Sequence, residues 1–170
     1  MLMKRTIPIL SLLPMVAPNM THATEPVKKP NVIIIYADDL GYGDLECYGA
    51  KNVKTPNVNR LAKEGIRFTN AHAVAATSTP SRYSLLTGEY AWRKPDTDVA
   101  AGNAGMIIRP TQYTMADMFK SAGYATGAFG KWHLGDYGEY LPTNQGFDYF
   151  YGSHHVNDMA PFYHAKEENG

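Results

Sequence analysis

Three short stretches hold residues able to do polar chemistry. In YADDLGYGD, Asp38 and Asp39 are adjacent where an apolar run ends. Neighbouring side chains of a regular strand point apart, but at a strand end followed by Leu40 and Gly41 the backbone can turn and bring both carboxylates together. Converging carboxylates need a cation between them, and oxygen-only ligands suit a hard ion, Ca²⁺ ahead of Mg²⁺, rather than zinc, which takes His or Cys. A solvated pair capping a turn is the plainer account of the dipeptide alone. In STPSR, residues 78–82, Ser78 stands at a helix start with Pro80 in the first turn, where Ser and Thr accept from free amides and Pro is tolerated. In GKWHLG, Lys131 and His133 flank Trp132, and period-2 alternation puts both on one side of an extended segment. An edge strand with a solvated polar face explains that stretch equally, and on either account truncating Lys131 or His133 opens no core cavity.

The elements that must position these residues alternate. NVIIIY at 31–36 is a continuous β-branched run, the pattern of a central parallel strand buried on both faces. TPNVNRLAKEG at 55–65 predicts a helix, with Thr55 as cap, Pro56 in the first turn, Val58 and Leu61 on one face and Gly65 as stop. IRFTNAHAV predicts a strand, SRYSLLTG a short helix ended by Gly88, and TMADMFKSAGY a helix from Thr114 closed by Gly123, after which ATGAFGKWHLG returns to strand and turn. Such alternation implies a mostly parallel α/β sheet flanked by helices, whose ligand sites lie beyond the carboxyl ends of the strands. Residues 89–107 read as a long irregular surface connection. The final FYHAKEENG offers no closing element, so a piece of a longer chain is expected.

Composition narrows the partners. Sixteen basic and sixteen acidic residues cancel, which removes any broad electrostatic case for nucleic acid or an anionic membrane surface. Lys4 and Arg5 precede a short apolar run and then small residues near Ala23, the layout of a secretory signal peptide over 1–23. The run from Ile7 to Val16 is broken by Pro8 and Pro14 and is short for a bilayer, so export is expected and a stable membrane anchor is not. Cys47 is the single cysteine, which excludes an intrachain disulfide and leaves a structural thiol.

Read together and in order, the three stretches resemble the sulfatase family. Ser78, Pro80, Ser81, Arg82, Leu85, Thr87 and Gly88 fill the fixed positions of its first signature, and Gly130, Lys131, Trp132, His133, Leu134 and Gly135 resemble its second. The likeness runs from PNVIIIYADDLGYGD through TPNVNRLAKEGIRFTNAHA to NQGFDYFYG at 144–152. It implies an alkaline-phosphatase-like α/β fold, incomplete in this chain, with 24–170 as the amino-terminal part of a catalytic domain that hydrolyses sulfate monoesters, sulfated glycans among them. It implies a formylglycine made from Ser78, calcium held by Asp38, Asp39 and residue 78, Arg82 holding the hydrated aldehyde, and Lys131 and His133 contacting the diol or sulfate. Arg82 lies one helical turn beyond Ser78, and Lys131 offers a point charge to a singly charged ester. Pro80 and Ser81 fall to shape and maturation recognition.

The same likeness implies that a second ligand pair and a further His and Lys come from sequence beyond residue 170, so that residues 1–170 alone are inactive. Ser rather than Cys at position 78 implies a Ser-type maturase, an anaerobic radical enzyme, and hence a bacterial protein of the periplasm or exterior. A phosphatase or phosphodiesterase of the same superfamily, or a non-catalytic truncated relative, stays open. His154, His155, Asn157 and Asp158 could line a substrate pocket, although a solvated loop explains them; His72 reads as a packed or surface residue, and turn formation accounts for Tyr42 and Asp44.

Overall fold

A computed structural model describes residues 28–95, 97–100, 105, 107–155 and 163–168. Residues 28–37 and the residues from Asp38 onward belong to two separate units. The expected signal peptide lies outside the described residues. No helix among the described residues is long and apolar enough to cross a membrane.

The helices form where the local chemistry put them. Helix α1, Pro56–Glu64, has Pro at its start and Gly65 behind it. Thr55 does not cap it; its amide and hydroxyl are both engaged by Glu46, and its hydroxyl also bonds Asn59. Helix α2, Ser78–Thr87, ends on Gly88 at φ 70°, a left-handed conformation that costs glycine little. It begins three residues earlier than the apolar pattern indicated. Its buried face includes Thr79, Ser81, Tyr83, Ser84 and Leu86, a mixture that gives little apolar periodicity yet is tolerated because the hydroxyls are bonded: Ser84 Oγ accepts from the Ala91 amide at 3.1 Å, and Tyr83 donates to Glu89 at 2.7 Å. Helix α3, Met115–Ser121, starts with a capping box in which Thr114 and Asp117 satisfy each other's amides.

Strand β1, Gly127–Lys131, pairs parallel with β2, Tyr149–Ser153, which pairs antiparallel with β3, Ala165–Glu168. Gly130 and Gly152 face each other across the parallel pair. A Cβ on Gly152 would collide with the Gly130 carbonyl, so glycine is what lets these strands close up. The pairing continues past β1, with the amides of Trp132 and His133 donating to the carbonyls of Ser153 and His154. Tyr83, Leu86, Ala91, Ala100, Ile107, Ile108, Trp132, Leu134 and Phe150 form the core.

Three expectations fail. Residues 31–36 form no strand and are exposed, Ile33 by 84% and Ile35 by 82%. The IRFTNAHAV stretch likewise has no strand pairing. A β-branched apolar run states a preference for extended, buried surroundings, but a strand also needs a neighbour's N–H and C=O groups, and the run does not encode which neighbour. The supposed surface connection fails in the opposite sense: Ala91, Ala100 and Ile107 are core residues, and the buried Thr97 hydroxyl donates to the Ala91 carbonyl at 2.7 Å.

Candidate active site

Ser78 is the first residue of α2, and Thr77, not Ser78, occupies the cap position. The Ser78 hydroxyl therefore caps nothing and is turned to other partners. Arg82, one turn along, donates from Nε to Ser78 Oγ at 3.0 Å, while His133 Nδ1 lies 3.1 Å from the same oxygen. Arg82 also donates to the Lys131 carbonyl at 2.6 Å and to Asp38 Oδ2 at 3.2 Å, and Lys131 Nζ donates to that Asp38 oxygen at 2.8 Å. Two oxygens, of Ser78 and Asp38, two cations and one imidazole thus gather near a helix start, where free amides also favour negative charge.

The proton on His133 is fixed by its other side. Nε2 is 2.9 Å from the Ala100 carbonyl, which can only accept, so Nε2 carries hydrogen and Nδ1 of the neutral ring is left to accept from the Ser78 hydroxyl. Burial, followed by the Lys131 and Arg82 charges, holds the imidazole below the ordinary histidine range against the opposing Ala100 bond. The hydrogen bond from Lys131 holds the Asp38 carboxyl below its usual value, with burial working the other way.

Lys131 and His133 do converge on Ser78 and Asp38, but not through simple alternation. His133 has φ 58°, as does Asp39, and these are the non-glycine residues with left-handed backbones among those described. Such conformations are uncommon outside glycine and persist where surrounding bonds hold them. His133 is also only 2% exposed, so its expected place on an open polar face is wrong and its truncation would leave a hole and an unpaired carbonyl. The buried Trp132 between them anchors the segment by donating to the Tyr140 carbonyl at 3.0 Å.

Asp38 and Asp39 are both exposed at the chain turn. Together with Ser78 Oγ they offer only oxygen, which suits a hard cation in kind. In number they fall short of the six to eight oxygens that calcium takes, and no group of three His, Cys, Asp or Glu side chains gathers as a metal site among the described residues. Asp44 accepts from the Gly41 amide at 2.7 Å and so closes the following turn, as expected of it. His72 is exposed beside Asn70.

The solvated-loop account of His154 and His155 is overturned. His154 is 6% exposed, bonded to Glu167 Oε1 at 2.5 Å and stacked on Phe150, while His155 pairs with Asp136 Oδ2 at 3.0 Å. The pairing of β2 with β3 brings Glu167 across, a contact that sequence spacing does not announce. Asn157 and Asp158 lie outside the described residues. Two contributors had no signal at all: Thr79, at the variable position of the first signature, and Ala100, which acts through its backbone.

A helix-start hydroxyl thus lies between a guanidinium and a neutral imidazole, with a lysine–aspartate pair beside it. The sulfatase family profile matches residues 30–166, and the chain belongs to that family. An N-acetylgalactosamine-6-O-sulfatase of Bacteroides thetaiotaomicron is 55% identical over 132 residues, covering 72% of this chain and 26% of the relative. Human arylsulfatase G is 44% identical over 133 residues, covering 78% and 25%. A solved structure from a Bacteroides thetaiotaomicron locus for the metabolism of multiple glycosaminoglycans aligns with TM-score 0.77 and 49% identity over 83% of this chain and 32% of that one. A sulfatase from Pseudoalteromonas sp. gives TM-score 0.68 at 36% identity over 76% and 27%. The fold is therefore alkaline-phosphatase-like α/β, represented here by part of its sheet and helices, and the chain spans about a quarter of the length of the curated relatives it matches.

Proposed function

We propose that the protein to which these residues belong hydrolyses sulfate monoesters, with Ser78 converted to formylglycine and a calcium ion held in part by Asp38, Asp39 and residue 78. The observation that carries this reading is the residue-78 oxygen poised 3.0 Å from Arg82 Nε and 3.1 Å from His133 Nδ1 at the start of α2. A hydrated aldehyde there supplies two hydroxyls on one carbon: one bonds sulfur as the alcohol leaves, and the other gives up its proton as the carbonyl re-forms, sulfate departs, and water restores the hydrate. The unprotonated Nδ1 of His133 is placed to take that proton, and the Ala100 carbonyl keeps the ring in the required tautomer. Arg82 fixes the residue-78 oxygen, and Lys131 sets a cation where an ester with one negative charge must sit. Calcium, when bound, would polarise sulfate oxygens and favour the ionised nucleophile.

Sulfated glycans are the substrate class this reading favours, since the N-acetylgalactosamine-6-O-sulfatase is among the most similar relatives. Residues 1–23 act as a signal peptide, residues 24–170 belong to the catalytic domain, and a Ser-type maturase acts before or during export to the periplasm or exterior of a bacterium. The full-length protein coexpressed with such a maturase is expected to show a Ser78 peptide lighter by two hydrogens, reactive with a hydrazine probe, and to release sulfate from 6-O-sulfated N-acetylgalactosamine. Equal activity from protein whose Ser78 is unmodified would reject the formylglycine mechanism. It would favour the phosphatase-like alternative, which the existing bond between the Ser78 hydroxyl and His133 already accommodates.

A further inference from the structure

Thr79, the second residue of α2, is fully buried. Its hydroxyl accepts from the Ala100 amide at 2.9 Å and donates to the His133 carbonyl at 3.3 Å. Those two residues are the pair whose other groups set the imidazole: the Ala100 carbonyl, 2.9 Å from His133 Nε2, dictates which ring nitrogen carries hydrogen. We infer that Thr79 is a positioning residue, a hydroxyl clamp that ties the Ala100 peptide and the left-handed His133 backbone to the start of α2 so that Nδ1 faces the residue-78 oxygen.

Several observations converge on this assignment. His133 sits at φ 58°, a conformation that needs restraint, and the bonds restraining its backbone are its amide to the His154 carbonyl and its carbonyl to Thr79. Ala100 lies in an irregular segment with no ladder to hold it, so a bond from its amide to a fully buried helical side chain fixes where its carbonyl points. Thr79 is also covalently next to Ser78, so one short stretch supplies both the reacting oxygen and the anchor for the group that accepts its proton. A hydroxyl is required because the clamp must accept from one peptide and donate to another through a single atom, which neither Ala nor Val can do.

The inference rests on the sulfatase reading for its catalytic consequence, but its structural content is measurable without turnover. In the full-length protein, ¹⁵N chemical shifts of His133 are expected to report the Nε2–H tautomer. Thr79→Ala is expected to mix the two tautomers and lower kcat about tenfold with KM little changed. Thr79→Ser, which also lacks the methyl group but keeps the hydroxyl, is expected to restore both. If Thr79→Ala fails to fold, Thr79→Val keeps the volume and removes only the bonds. An unchanged His133 tautomer in a folded hydroxyl-free variant overturns the inference, whatever its activity, as does a Ser variant no better than Ala. Wild-type protein inert toward sulfate esters would instead reject the functional reading while the spectra still decide on Thr79.

Discussion

The corner around Ser78 and the acidic turn at Asp38 and Asp39 supply the two halves of one proposed chemistry, yet they are organised in opposite ways. At the corner, His133 and Thr79 are buried and every polar atom of the relay from Ala100 through His133 to Ser78 has a partner in this chain. At the turn both carboxylates are exposed, and Asp38 is positioned by the cations of Arg82 and Lys131. The contrast teaches that proton geometry is built into the bonds that tie the start of α2 to Lys131 and His133. Placement of Asp38 depends instead on the two charges it meets.

The largest test of the corner is Ser78→Ala, expected to lower sulfate-ester turnover of the matured protein about a thousandfold or more, because no other oxygen in the relay can replace the nucleophile. Retained turnover in a folded variant would move the chemistry elsewhere. Lys131→Ala is expected next, at about a hundredfold in kcat/KM, since it removes a charge aimed at the ester and also releases Asp38. Steady-state kinetics at several ionic strengths would check it, and a wild-type rate would return Lys131 to a solvated strand end.

Gly152→Ala tests whether the corner depends on the strand pairing beneath it. The collision with the Gly130 carbonyl is expected to destabilise the fold by about 2–4 kcal/mol in denaturant unfolding, against near-neutrality for a surface Gly→Ala. His133 provides a pH test. Its folded pKa is lowered, so the folded state binds fewer protons than the unfolded chain as pH falls through the unfolded value near 6.5. Its contribution to stability is therefore complete above that value and declines below it until the folded pKa is reached. His133→Gln should flatten that part of the stability profile.

The smallest effect is expected at Asp148, which lies outside both regions and takes bonds from Lys120 at 2.7 Å and from the Thr126 amide at 2.9 Å. The Lys120 bond leads in holding its carboxyl low, so the stability it lends is complete above the unfolded carboxyl value and fades as pH falls through the folded one. Asp148→Asn should blunt acid unfolding below about pH 4 and leave activity at neutral pH unchanged. A loss of neutral-pH activity would show that the two regions extend further than their bonds suggest.

Sequence by itself singled out the polar side chains that meet in the fold and the elements with local stop and start signals. Ser78, Arg82, Lys131 and His133 meet as their signatures implied, and the helices at 56–64, 78–87 and 115–121 follow from Pro, Gly and capping residues, because such signals act within a few bonds of the chain. Only the tertiary structure decided that Ser78 is inside the helix rather than capping it, that His133 is buried with a left-handed backbone, that Thr79 and Ala100 hold it, and that His154 meets Glu167. It also left 31–36 without a strand partner among the described residues, despite the run's strong preference for one. Each of these depends on contacts between residues far apart in the chain, and hydrogen-bond partners brought together by strand pairing leave no period or spacing in the sequence from which to read them.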